Sequence, residues 1–306
     1  MTIARSQILD PSVTSYYHCI ARCVRRAYLC GEDKLTKKNF DHRKTWLVDQ
    51  MKFLSDTFAI QICAYAVMSN HYHQVLHVNR AHARDWTDYE VIQRWCRLFQ
   101  NPLAVRYLQQ ETLLEEELTI LFQQRVPLWR GRLASISWYM RCLNETIARL
   151  ANAEDDCTGR FWEGRFRCQA LLDETAILSC MVYVDLNPIR AGIAKTMEES
   201  EFTSIQERIR AYQQKKAASG LMSFSSGHPQ AQTQDGNGIN EACLDFRLED
   251  YFDLVDSNGR LIRQDKRGAI PFHLPKLLTS LRIDASGWAD NLDQIRRAKK
   301  IWVRAA

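Results

Sequence analysis

The sequence contains 10 cysteines but no CxxC pair, so it spells neither a zinc ribbon nor a dithiol redox motif. Secreted disulfide scaffolds are short and cysteine-dense, and a chain of 306 residues with these cysteines is not one. The one metal-like grouping, His18, Cys19, Cys23 and Cys30, lacks zinc-finger spacing, and reduced thiols are the better expectation. Long apolar runs are missing too. Stretches such as 62–68 (ICAYAVM) fall far short of the roughly 18 residues a membrane span needs, so no membrane partner is expected. The opening MTIARSQILD has no apolar core of the signal-peptide kind, and an uncleaved cytoplasmic chain is expected. With 12 glycines and 7 prolines, collagen-like and low-complexity chains are excluded. Nor does one sign of charge dominate. Against 36 acidic side chains stand 41 Lys and Arg, and the resulting +5 is a mild hint of a polyanionic partner that depends on where the arginines sit.

What is present is an alternation of strand and helix patterns. Residues 16–24 (YYHCIARCV) carry the aromatic and β-branched side chains of a strand, and 42–58 space their apolar residues as an amphipathic helix does. A buried strand at 59–68, the turn residues Ser69 and Asn70, and a second strand at 71–78 make a hairpin. Residues 85–128 form an inserted helical segment, acidic around Glu115–Glu117. Helical spacing returns over 132–152, followed by a basic, Gly-punctuated strand over 159–172. Asp173 then caps an apolar helix over 174–187 that Pro188 ends. The order predicts an α+β domain with a ferredoxin-like antiparallel sheet and helices on one face. About two domains fit the length. The catalytic one is expected over 1–210, a Gln-, Ser- and Gly-rich flexible linker over 211–240, and a small C-terminal module over 241–306. Within that module, Asp256-Ser257-Asn258-Gly259 reads as the turn of a hairpin.

Two short segments carry the chemistry. On a strand, His71 and His73 point to one face with Cα atoms about 6.5–7 Å apart, so both imidazoles can reach one cation. His77 shares their parity but lies about 13 Å beyond His73. An exposed pair of hairpin histidines is the plainer alternative. Nucleotide hydrolases of the HxHxH type are excluded, because position 75 is Val. In YVDLNPIRAG, 183–192, Tyr183 and Asn187 lie one helical turn apart, although Pro188 biases Asn187 away from helical geometry. Taken alone, this segment also reads as a buried Tyr, a terminal Asn cap and an exit turn.

Taken together, YYHCIARCVRR, CAYAVMSNHYH, GRFWEGRF and YVDLNPIRAG, in that order, resemble the REP-associated tyrosine transposases of the HUH single-tyrosine transposase superfamily. The resemblance covers about residues 10–200. It departs at Ser69, where the family often has Pro, and the 85–128 insertion and the region after 211 lie outside the pattern. It implies a metal-dependent enzyme that cuts and rejoins single-stranded or hairpin DNA through a 5′-phosphotyrosine. Tyr183 would be the nucleophile, with His71, His73 and Asn187 holding a divalent cation, Mg²⁺ or Mn²⁺. Such proteins act as monomers or homodimers.

The basic residues fit that reading. Arg160, Arg165 and Arg167 interleave with Phe161, Trp162 and Phe166, the composition of a groove that tracks phosphates and stacks unpaired bases. Arg22, Arg25 and Arg26 follow the first strand and extend the same surface, and Arg190 stands next to the Tyr183 segment, where it meets a phosphate or caps a helix end. The rival for the whole chain is a non-cleaving DNA-binding descendant, which would have no reason to retain His71, His73, Tyr183 and Asn187 together.

Overall fold

The computed structural model describes residues 13–24, 30–31, 37–225, 243–262 and 265–281. Its centre is a four-stranded antiparallel sheet of β1 (Tyr16–Arg22), β2 (Ile60–Val67), β3 (His71–Val78) and β4 (Arg167–Leu171), in the order β2-β3-β1-β4. Helix α1 (His42–Thr57) connects β1 to β2. Between β3 and β4 come α2 (Arg80–Asp85), α3 (Asp88–Cys96), α4 (Pro102–Leu108), α5 (Glu115–Thr119), a π-helical stretch Ile120–Arg125, α6 (Val126–Leu133) and the long α7 (Ile136–Glu154). With α1 and α7 as the crossovers, β1-α1-β2-β3-α7-β4 is the ferredoxin-like order, and the inserted helices precede the second crossover.

The period-2 alternation of the strands explains the two layers that follow. Tyr17, Cys19 and Ala21 of β1 and Tyr72 and Leu76 of β3 bury on one face under α1 and α7. Cys63, Ala64, Ala66 and Val75 bury on the other, under α8 (Glu174–Asp185). Helices thus cover both faces, where the sequence pattern suggested one. The physical reason is that Cys63, Ala64 and Ala66 of β2 and Val75 of β3 are apolar on the second face and require a cover of their own. α10 (Ser204–Gln213) and α11 (Leu248–Gly259) complete that cover.

The segment after 241 is part of this second layer. Leu244, Phe246, Tyr251, Phe252, Leu254 and Val255 share one core with Met181, Val182 and Ile209. Asp256-Ser257-Asn258-Gly259 is the last turn of α11 and not a hairpin. Local turn preference loses there to the burial of Tyr251, Phe252 and Val255. The polar side chains of that turn bond back along the helix, Ser257 Oγ to Asp253 and Asn258 Nδ2 to the Leu254 carbonyl at 2.7 Å. Gly259 is needed for closeness, since a Cβ there would stand 2.5 Å from Ile270 Cδ1. The expected linker begins later than its composition suggests. α10 runs to Gln213, and Met222 is buried with its N–H donating to the Ile62 carbonyl; residues 226–242 lie outside those described. Among the described residues, no helix is long and apolar enough to cross a membrane.

Candidate active site

The site lies on the α8 face of the sheet. In the β1–β3 register, Ile20 pairs with His73 and Arg22 with His71, so His18, Ile20, Arg22, His71 and His73 present their side chains on the same face. Residues of the other parity anchor the strand from behind: Tyr139 Oη donates to Gln74 at 2.9 Å, and Tyr72 Oη to Asn144 at 2.6 Å. The hairpin tip is also tied down. The N–H of Cys23 donates to the Asn70 carbonyl, and that of Cys30 to the Ser69 carbonyl.

Facing the imidazoles is α8, started by Asp173, whose carboxylate accepts from the Ala176 N–H at 2.7 Å. It ends at Asp185, and after Leu186 a single turn, α9 (Asn187–Arg190), continues. Pro188 has no N–H to continue the ladder, which accounts for the break between Tyr183 and Asn187. Both residues nonetheless reach the histidines. The Tyr183 ring lies edge-on to His73 at 5.6 Å and to His18 at 6.2 Å between centroids, and the His71 and His73 rings are 4.9 Å apart. Asn187 Nδ2 is 3.3 Å from His73 Nε2.

The hydrogen bonds assign the protons. Asn70 Oδ1, 2.6 Å from His71 Nδ1, can only accept, so His71 carries its proton on Nδ1 and leaves Nε2 bare. Asn187 Nδ2 can only donate, so His73 Nε2 is likewise a lone pair. Burial pushes His71 down to about 4, helped by the Arg22 charge, and His73 down to about 2, with His18, His71 and Arg22 adding to the effect. Both rings are therefore neutral at physiological pH, the form in which an imidazole binds a metal. Two unprotonated imidazole nitrogens and an amide suit a divalent cation of intermediate hardness. Among the described residues, no three His, Cys, Asp or Glu side chains form a metal-holding group, so any ion here relies on the amide as its third donor. Cys19 and Cys23 have the opposite parity from His18 and bury on the far face, which separates them from these nitrogens.

The other expected residues divide sharply. Arg22, Arg160, Arg165 and Arg167 are exposed. Arg22 faces the site opposite His71, and Arg167 pairs with Ile20 on the same face. The loop bearing Arg160 and Arg165 is fastened to the end of β1 by the Val24 N–H on the Phe161 carbonyl and the Glu163 N–H on the Arg22 carbonyl. Phe161 and Trp162 are corrected. They are 2% and 9% exposed, and the Trp162 indole donates to the Asn144 carbonyl at 2.8 Å, so neither ring offers a face to a base. The strand expected over 159–172 is only Arg167–Leu171, which is why alternation misassigned the aromatics before it. Trp162→Ala is accordingly expected to cost about 3–5 kcal/mol of stability, as a large buried aromatic does. Denaturant unfolding is the readout.

Arg190 is corrected as well. It is buried, donating from Nη2 to the Asn258 carbonyl and from Nη1 to that of Leu261, both at 2.6 Å, and so caps the end of α11. Arg25 and Arg26 lie outside the described residues. Sequence reasoning missed Asn70 and His18 as parts of the site. Asn70 looked like a turn residue only, and His18 was grouped with its cysteine neighbours; strand parity across the β1–β3 pair is the signal that would have placed it beside His73.

No protein-family model and no curated protein matches the chain. A solved structure described as the REP associates tyrosine transposase bound to a REP hairpin aligns with 69% of this chain and 86% of its own. The chain is similar to a REP-associated tyrosine transposase. The identity is 11% and the TM-score 0.41, and the α+β sheet with its ferredoxin-like order stands on the strand pairing itself.

Proposed function

We propose that the chain is a metal-dependent DNA strand transferase that cuts and rejoins single-stranded DNA near hairpins through Tyr183. What supports this reading is one convergence. A tyrosine from α8, an amide from α9 and two neutral imidazoles from β3 meet on one face, within 5.6 Å between the Tyr183 and His73 rings. A phenol, with an ordinary pKa near 10, keeps its proton at neutral pH, so its attack requires an electrophilic phosphate. A divalent cation held by His71, His73 and Asn187 would supply that by drawing charge from a non-bridging oxygen. Arg22, exposed opposite His71, would hold the same phosphate. Tyr183 Oη bonds to phosphorus as the bond to the 3′ oxygen breaks; the phenol gives up its proton to water, and the departing 3′ oxygen takes one from water to leave as a hydroxyl, so no net proton is consumed. Attack by a 3′-OH on the 5′-phosphotyrosine reverses the step, which conserves the bond energy without a nucleoside triphosphate.

Exposed Arg160, Arg165 and Arg167 would carry the strand's phosphates. Incubating the protein with hairpin-bearing oligonucleotides and Mg²⁺ or Mn²⁺ tests the reading. Cleavage that EDTA abolishes and re-added Mn²⁺ restores is the expected outcome. Binding without cleavage under any of these conditions would favour the non-cleaving descendant instead.

A further inference from the structure

His18 belongs to none of the roles above, yet it contacts a proposed metal-holding imidazole directly. Its Nε2 lies 3.0 Å from His73 Nδ1, and the two rings stack at 5.2 Å and 17°. That separation is the length of a hydrogen bond, so a proton and not a cation sits between the nitrogens. The direction of the bond follows from the far side of the same ring. His73 Nε2 faces the Asn187 Nδ2 donor and must accept, so a neutral His73 carries its proton on Nδ1 and donates it to His18 Nε2.

We infer that His18 is a positioning residue that holds His73 in the tautomer, and at the ring angle, that keep its Nε2 lone pair available to a cation shared with His71 and Asn187. The inference rests on the reading that His71, His73 and Asn187 hold a divalent cation. His71 has a matching device on its own Nδ1, the Asn70 amide oxygen at 2.6 Å. Each histidine therefore has a separate acceptor fixing its tautomer, one from the hairpin turn and one from the neighbouring strand. Outer partners of this kind typically change metal affinity 10–100-fold when removed. The fold makes the arrangement available because His18 lies two residues before Ile20, the residue that pairs with His73, and so sits diagonally across the strand pair on the same face.

The test uses full-length protein labelled with ¹⁵N at histidine, without DNA, and three forms: parent, His18→Leu and His18→Gln. Leu fills the space without an acceptor, whereas Gln restores an oxygen acceptor. In the parent, the His73 ring nitrogens are expected to show the proton on Nδ1. His18→Leu is expected to move it to Nε2 or mix the tautomers, and to weaken Mn²⁺ binding by calorimetry about 10–100-fold. His18→Gln is expected to recover most of that affinity. A parent His73 protonated on Nε2 overturns the inference, and so does a folded His18→Leu that binds Mn²⁺ as the parent does. Should His18→Leu fail to fold, the parent tautomer and the His18→Gln affinity decide. A parent that binds no Mn²⁺ while its tautomer is as expected overturns the metal reading, an outcome distinct from failure of the His18 assignment.

Discussion

Tyr183→Phe is expected to lose DNA cleavage by at least about 10⁴-fold, in keeping with removal of the nucleophile from a site whose members act as a unit. The substitution removes one oxygen and keeps the ring that stands edge-on to His73 and His18. Tyr183 is half-buried near the end of α8, while its neighbours Val182 and Val184 carry the packing on the second core. Stability is therefore expected to fall by no more than about 1 kcal/mol, the value of a single net hydrogen bond. Affinity for a hairpin oligonucleotide should change little, because the exposed arginines are untouched. A gel assay of cleavage, a thermal melt and a binding titration on the same preparation separate the three quantities. A variant that cuts as fast as the parent would move the nucleophile elsewhere.

The second large effect is structural. Arg190→Met keeps the aliphatic stem but removes the donors that serve the Asn258 and Leu261 carbonyls. The Asn258 bond is buried, and the nearby loop packs closely, since a Cβ at Gly268 would stand 2.2 Å from the Ile189 carbonyl. Losing charge-assisted bonds at such a place costs about 3 kcal/mol. For a chain of this size that lowers the melting temperature by roughly 5 °C. Lys is expected to rescue poorly, since a single ammonium does not reproduce the fork that reaches carbonyls on both sides of the turn. A phosphate-contacting Arg190 would give the reverse pattern, an unchanged melt with weaker DNA binding and a shallower salt dependence.

That reversal illustrates what the sequence was able to convey. The ferredoxin-like sheet was legible because its strands are short apolar or aromatic and β-branched runs and its hairpin is marked by Ser69 and Asn70. His71, His73, Tyr183 and Asn187 were legible as residue types at useful spacings, and the structure brings all four together. Burial was not legible. Arg190, Phe161 and Trp162 look like nucleic-acid contacts by composition, and only the packing of α11 and of Asn144 against them gives them other work. Asp256–Gly259 failed for a related reason. A four-residue turn signal says nothing about the aromatic residues Tyr251 and Phe252, which bury only if the helix continues. His18 needed the strand register, a long-range quantity that no local pattern contains.

The C-terminal segment bears on the same helix as the proposed nucleophile. Asp185, two residues after Tyr183, accepts from Tyr251 Oη of α11 and from Ser204 Oγ, both at 2.5 Å, and from the Ile205 N–H at 3.0 Å. Burial raises this carboxyl to about 6 against the pull of those donors. The network joins α8, α10 and α11 into one unit, so the face that carries Tyr183 is fixed from behind by residues outside the stretch that carries the family resemblance.

The proposed reaction passes through a covalent bond between Tyr183 and DNA, and mass spectrometry of the trapped adduct tests that bond directly. The parent protein is incubated with a hairpin oligonucleotide and Mn²⁺, denatured, and digested with protease and nuclease. The expected result is a peptide spanning Tyr183 that carries a nucleotide through its 5′ phosphate, absent when EDTA is present and absent from Tyr183→Phe. A nucleotide attached to any other residue, or cleaved DNA with no protein-linked product, would contradict it.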